Sequence, residues 1–187
     1  MAKARPITTV EFRRALALAS QSRYPSRNRV LLALSALAGM RIGEIGGLDL
    51  HDVHDAQTGR VRASIYLSGD RTKWRYAREV HLNRAVIRLL EAHLAERGLA
   101  PGPLLLSQNR RRFGRTALVG VFRELYARAG IDTSSHAGRA LFITSLADMG
   151  VSVRIIQKAV GHRSLAATNA YLDARPAEVK AAVDLLR

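Results

Sequence analysis

Arg41 and Glu44 stand three residues apart, directly after an apolar run that ends near Gly39. At helical spacing the two form either a surface ion pair worth about 0.3 kcal/mol or a guanidinium held by a carboxylate and pointed at an anion. His136 and Arg139 are also three apart, so they share one helical face. Gly161-His162 marks a helix stop, and Tyr171 follows nine residues later. Lys73 is the only lysine between Lys3 and Lys158. Taken singly, each residue has an ordinary explanation as a cap, a packing group or a solvated charge.

The elements that must position these groups are mostly helical. Thr8 and Glu11 make a capping box, and Phe12, Ala15, Leu16 and Ala19 continue it at helical spacing. Residues 22–29 read as a polar, basic connection containing Pro25. A helix apolar on most faces follows from about Asn28 to Ala38, and Gly39 stops it. Residues 41–48 read as another turn or two of helix. The period then changes: Arg60 to Leu67 alternates as a half-buried strand does, residues 68–75 form a turn, and Tyr76 to Leu82 returns as a second strand. Asn83 caps a helix that runs to about Arg97 and closes at Gly98. Leu104 to Leu106 offers a short third strand. Four arginines fall within residues 109–115, before a helix from Thr116 to Ala129. Further helices are expected from His136 to Met149, from Ser152 to Val160, from Ser164 to Tyr171, and from Ala177 to Leu186 with Pro176 in its first turn. The fold class is therefore mainly α with a small antiparallel β-hairpin or three-stranded sheet. One domain over residues 1–187 is the simplest organisation.

The 187 residues carry 30 Lys plus Arg against 15 Asp plus Glu, a formal charge of +15. A charge this positive on a globular chain implies a polyanion: nucleic acid first, an anionic membrane surface second. Aromatic residues at 5% weaken the membrane reading. There is no cysteine, which excludes disulfides, thiol catalysis and cysteine-ligated zinc. No apolar run approaches the ~20 residues a membrane helix needs. A cytoplasmic location is expected.

Taken together, the candidate residues resemble a known constellation. Ala38-Gly39-Met40-Arg41-Ile42-Gly43-Glu44-Ile45 resembles the first arginine box of the tyrosine recombinases, the phage-integrase family. His136-Ala137-Gly138-Arg139 resembles its histidine-x-x-arginine box. Residues 156–164 with Thr168-Asn169-Ala170-Tyr171 resemble its leucine-glycine-histidine segment and nucleophilic tyrosine. Any one box is weak, but four in register in a basic, cysteine-free chain are specific. The resemblance implies the tyrosine-recombinase catalytic-domain fold. It also implies a reaction in which Tyr171 attacks a DNA phosphodiester, forms a 3′-phosphotyrosine and releases a 5′-hydroxyl. Arg41 and Arg139 would bind the nonbridging oxygens and His162 would add a hydrogen bond. Lys73, in the turn between the two strands, would protonate the leaving oxygen, and His136 would take or relay the phenolic proton. Glu44 would orient Arg41. The scheme needs no metal, cofactor or ATP.

The remaining cations are candidates for phosphate contacts: Arg71, Arg75, Arg110, Arg111, Arg112, Arg115 and Arg163. The resemblance implies double-stranded DNA as partner and a homotetramer on two DNA sites, with residues 177–187 docked in cis or in trans. Only about forty residues precede Arg41, so the expected unit is the catalytic domain without the family's N-terminal clamp. The histidine-x-x-arginine box departs from the usual pattern at Gly138 and Ala140. A glycine inside a helix costs ~1 kcal/mol and calls for a packing reason. The rival reading is a non-catalytic helix-turn-helix regulator, centred on Met149-Gly150-Val151.

Overall fold

The computed structural model describes residues 5–71 and 76–172. Lys73, Arg75 and the segment 177–187 lie outside the described residues. The chain folds around one central helix. Helix α1 (Thr9–Ala19) begins with the expected capping box: Thr8 accepts from the Glu11 amide and Glu11 accepts from the Thr8 amide. Helix α2 (Pro25–Ala36) starts earlier than the sequence pattern indicates. Pro25 occupies the first helical turn, where its missing N–H has no cost, rather than breaking a loop. Every residue of α2 from Val30 to Ala36 is buried, as a helix apolar all round must be.

Around α2 pack α1, helix α5 (Arg84–Arg97) and helix α7 (Ala137–Asp148). Helix α6 (Arg115–Arg128) packs on α1 and on the short α3 (Ile42–Gly46). Asn83 caps α5 through its side chain, and Gly98 at φ 79° ends it, both as expected. Gly138 finds its packing reason here. A Cβ at that position of α7 would lie 2.7 Å from Ser35 Oγ and 2.9 Å from the Tyr126 hydroxyl, so only glycine lets α7, α2 and α6 approach this closely.

The expected antiparallel hairpin is present, with its first strand divided. The alternating run splits into β2 (Arg60–Val61), paired antiparallel with β1 (His54–Asp55), and β3 (Ser64–Leu67), paired antiparallel with β4 (Arg78–His81). The chain leaves the first ladder at Arg62, whose amide bonds back to Val53, the last residue of the short helix α4 (Leu50–Val53). His51 lies in α4 and His54 in β1. Residues 104–106 add no strand to the β3–β4 ladder. They contribute an isolated bridge, Leu106 to Arg112, beside a second one from Asp49 to Pro103.

A second, smaller apolar cluster carries the functional end of the chain. Ile143 of α7 packs with Ile156 and Val160 of α8 (Val153–Val160), all three at 0% exposure, against Phe142, Leu146, Val151, Tyr171 and Leu172. Burying side chains of this size contributes roughly 1.5–3 kcal/mol each. The cluster seats α8 on α7, and the short α9 (Leu165–Asn169) packs on α8. No helix among the described residues is long and apolar enough to cross a membrane.

Candidate active site

Three successive carbonyls at the C-terminus of α8 each accept from a different arginine. Arg78 Nη1 donates to Ala159 O at 2.7 Å, Arg139 Nη2 to Val160 O at 2.7 Å, and Arg41 Nη2 to Gly161 O at 3.0 Å. The last carbonyls of a helix have no partner within it and carry the negative end of its dipole. Arginines from the start of α3, from β4 and from α7 are gathered on that one helix end. Gly161 makes the geometry possible. It turns at φ 65°, and a Cβ there would lie 2.6 Å from Arg78 Cδ.

Glu44 supplies the neutralising charge. Its carboxylate accepts from Arg41 Nη1 at 2.9 Å, from the Arg41 amide at 2.7 Å and from Arg78 Nη2 at 2.7 Å. Burial disfavours its ionised form, but the field of Arg78, the Arg41 amide and the charges of Arg41 and Arg139 outweigh it. Its pKa is held below the ordinary carboxylate value. Arg139 is only 4% exposed and also donates to Gly39 O. Gly39 turns at φ 64°, with the Phe142 ring where a Cβ would be, so the carbonyl is delivered by a residue that must be glycine. Burial, then the charge of Arg41, lowers Arg139 to about 9, with Glu44 opposing; it stays protonated at neutral pH.

His162 follows the glycine turn directly. Its amide donates to Gln157 O at 3.1 Å, and its own carbonyl accepts from Gln157 Nε2 at 3.0 Å. Its Nδ1 lies 3.0 Å from Thr168 Oγ1. Burial, then the fields of Arg139, Arg41 and Arg78, push its pKa down to about 4. The imidazole is therefore neutral at pH 7. Tyr171 stacks on it, with ring centroids 6.2 Å apart and planes at 21°. Arg41, Arg78, Gly161, His162 and Arg163 line an open cleft of about 1100 Å³, together with Tyr66 and Tyr76, both about two-thirds exposed.

The structure thus brings together Arg41, Glu44, Arg139, His162 and Tyr171. His136 stands exposed at the N-cap of α7, one turn before Arg139. Arg163 lies exposed on the cleft. The loop cations take other places. Arg112 is engaged with Asp49 at 2.6 Å and with the carbonyls of Gly46 and Leu48, a structural strut between loops. Arg111 and Arg112 line a different cavity, near Arg27 and Phe113. Arg110 sits at φ 55° in the same loop, and Arg115 opens α6. The backbone of Arg71 closes a short 3₁₀ turn after β3. Lys73 and Arg75 fall outside the described residues.

Two residues in the site escaped the sequence reading. Arg78 had a signal: in β4 it shares strand parity with buried Val80, and a cation on the inward face calls for a buried acid. Thr168 was quoted only as a neighbour of the tyrosine.

Comparison with known proteins identifies the family and the fold. Residues 6–178 match the family model described as "Phage integrase family". The chain belongs to that family. Among its relatives, tyrosine recombinase XerD of Mycobacterium tuberculosis (strain ATCC 25618 / H37Rv) is 32% identical over 154 residues, covering 78% of this chain and 47% of the relative. Tyrosine recombinase XerC of Myxococcus xanthus is 35% identical over 159 residues, covering 78% and 49%. The chain therefore spans about half the length of these curated relatives. A crystal structure of XerA recombinase superposes with a TM-score of 0.76 at 25% identity, covering 97% of this chain and 63% of that one. The fold also matches XerH recombinase bound to its difH substrate, at TM-score 0.74 and 22% identity, covering 96% and 53%. The fold is that of tyrosine-recombinase catalytic domains, mainly helical with small antiparallel sheets.

Proposed function

We propose that this chain is the catalytic domain of a site-specific DNA recombinase, which cuts and rejoins a phosphodiester through a 3′-phosphotyrosine. The observation that carries the reading is the convergence of Arg41, Arg139 and His162 on the α8 terminus, with Tyr171 stacked on the imidazole. Tyr171 attacks phosphorus and displaces the 5′-oxygen; a 5′-hydroxyl from another strand later reverses the step. Attack turns a singly charged diester into a doubly charged phosphorane. Arg41 and Arg139 face that added charge, and each guanidinium keeps N–H groups beyond those spent on carbonyls and on Glu44. His162, neutral, donates a hydrogen bond to the same oxygens. Lys73 protonates the leaving oxygen and His136 relays the phenolic proton. Arg163 and the loop cations Arg71, Arg75, Arg110, Arg111 and Arg115 hold phosphates. Double-stranded DNA is the substrate, and a tetramer joins two such sites.

The test uses suicide duplexes of randomised sequence, nicked near the centre so that a cleaved strand diffuses away. The wild-type chain gives a protein–DNA adduct that survives SDS and is unaffected by EDTA. Tyr171→Phe gives none, yet retains gel-shift binding. An adduct undiminished in Tyr171→Phe, or a strict magnesium requirement, overturns the proposal.

A further inference from the structure

Thr168 is fully buried, at 0% exposure, and its hydroxyl has a single hydrogen-bond partner among the described residues: His162 Nδ1 at 3.0 Å. A threonine hydroxyl carries one proton, and a neutral imidazole carries one on either nitrogen. Only two arrangements fit. If Nδ1 bears the proton, it donates to Oγ1, and the threonine hydroxyl proton is left buried with no acceptor. An unsatisfied buried donor is strongly disfavoured. If Nε2 bears the proton, the hydroxyl donates to Nδ1 and every group at the contact is satisfied. The second arrangement is the stable one.

We infer that Thr168 is the positioning residue that fixes His162 as its Nε2–H tautomer, so that the imidazole presents a donor, not a lone pair, to the cleft. The inference rests on the recombinase reading, in which that donor meets a nonbridging phosphate oxygen. Two further contacts make the assignment tight. The His162 backbone is clamped on both sides by Gln157, so the ring has little freedom to leave the hydroxyl. The Thr168 carbonyl accepts from the Tyr171 amide at 2.9 Å, so one residue holds the imidazole through its side chain and the tyrosine through its backbone. A lone pair facing the oxyanion in place of a donor would repel the charge that develops there.

The experiment compares wild type, Thr168→Val, which keeps the shape and loses the hydroxyl, and Thr168→Ser, which keeps the hydroxyl. Long-range proton–nitrogen NMR on chain labelled with ¹⁵N-histidine reads the tautomer directly. Wild type and Thr168→Ser show the His162 proton on Nε2, and Thr168→Val shows a mixture. Adduct formation slows in Thr168→Val in proportion to the fraction of His162 that loses the Nε2 proton, about twofold for an equal mixture, because only the Nε2–H form offers the oxyanion a donor, while gel-shift affinity stays within about twofold. Thr168→Ser recovers most of the rate. A wild-type proton on Nδ1 overturns the inference, as does a Thr168→Val chain with unchanged tautomer and rate. Should Thr168→Val fail to fold, the wild-type and Thr168→Ser spectra decide alone. The tautomer is read without DNA, so failure of the recombinase proposal in the Tyr171→Phe assay is a separate result.

Discussion

Replacing Glu44 by Gln removes one negative charge from among three guanidiniums and changes almost no volume. The carboxylate accepts from Arg41 Nη1 on one oxygen, and from the Arg41 amide and Arg78 Nη2 on the other. An amide has one oxygen, so its –NH₂ must face a donor on one of the two sides. Hydrogen bonds to charged groups contribute ~1.5–3 kcal/mol each, and removing one member of a buried ion pair costs about 3–5 kcal/mol. Glu44→Gln is therefore expected to lose about 3–5 kcal/mol, a large part of the ~5–15 kcal/mol available to a domain. Urea unfolding should show a lower midpoint at an unchanged slope. The pH dependence has a defined sign. The Glu44 pKa is depressed in the folded chain, so its contribution is present above the ordinary carboxylate value and is lost as pH falls through the folded value. Glu44→Gln should remove that part of the acid limb. A limb from Glu11, which Arg5 and the Thr8 amide hold down to about 2, remains in both proteins. A loss below about 1 kcal/mol, against the buried-pair scale, or an acid limb identical to wild type would refute the reasoning.

Three more outcomes follow from the same geometry. Gly138→Ala should destabilise by about 1–3 kcal/mol through overpacking, and adding Ser35→Ala should restore only part, because the Tyr126 hydroxyl still lies 2.9 Å from the new Cβ; urea midpoints of the two variants check this. Arg112→Ala should lower the unfolding midpoint without changing the salt slope of DNA binding, whereas Arg163→Ala should reduce that slope by about 0.9, the value for one lost phosphate contact. The His162 ring should show no NMR titration between pH 5.5 and 8, because its pKa lies near 4. The unfolded chain takes up that proton near the ordinary histidine value, so this residue's contribution to stability is present at neutral pH and lost as pH falls toward 4.

Much of the helical frame could be read from the chain because its signals are local. The Thr8–Glu11 box, the Asn83 cap and the glycine stops at 98 and 161 depend on residues within one turn. The antiparallel hairpin was legible too, since Ser64–Leu67 and Arg78–His81 fall within the two expected strands; that the start of the run pairs elsewhere was not, because alternation reports which face is buried and not which strand is the partner. Residues 60–67 alternate across two separate ladders. Pro25 was read as punctuation because proline stops and starts helices alike, and only the packing of the first turn of α2 decides which. Arg112 was counted among phosphate contacts because a run of arginines looks solvated, yet Asp49, sixty-three positions earlier, takes its charge. The candidate site was legible as side-chain types, through the family's boxes, but the means of holding them together was not.

That means is backbone, which explains why no motif announces it. Three like charges crowded together repel, and each must be desolvated to be useful to a phosphate. The carbonyls of Ala159, Val160 and Gly161 take one guanidinium each at the negative end of α8, and Glu44 cancels one of the three charges. Two net positive charges remain beside Tyr171 and His162. Two is the charge a phosphodiester acquires when a phenolate adds to it, one more than it carries at rest. On the recombinase reading proposed above, and before Lys73 adds its charge at the leaving oxygen, the arginine–Glu44 cluster is undercompensated by the ground-state diester and matched by the phosphorane, a differential that would accelerate the reaction rather than tighten substrate binding. Arg78 is central to that balance although it is set back beneath the site: without it Glu44 would neutralise Arg41 more fully, and the α8 terminus would hold one cation fewer. Neutralising Arg78 should therefore lower the rate of adduct formation more than it lowers DNA affinity, whereas removing Arg163, which the proposal places on a phosphate of the duplex, should do the reverse.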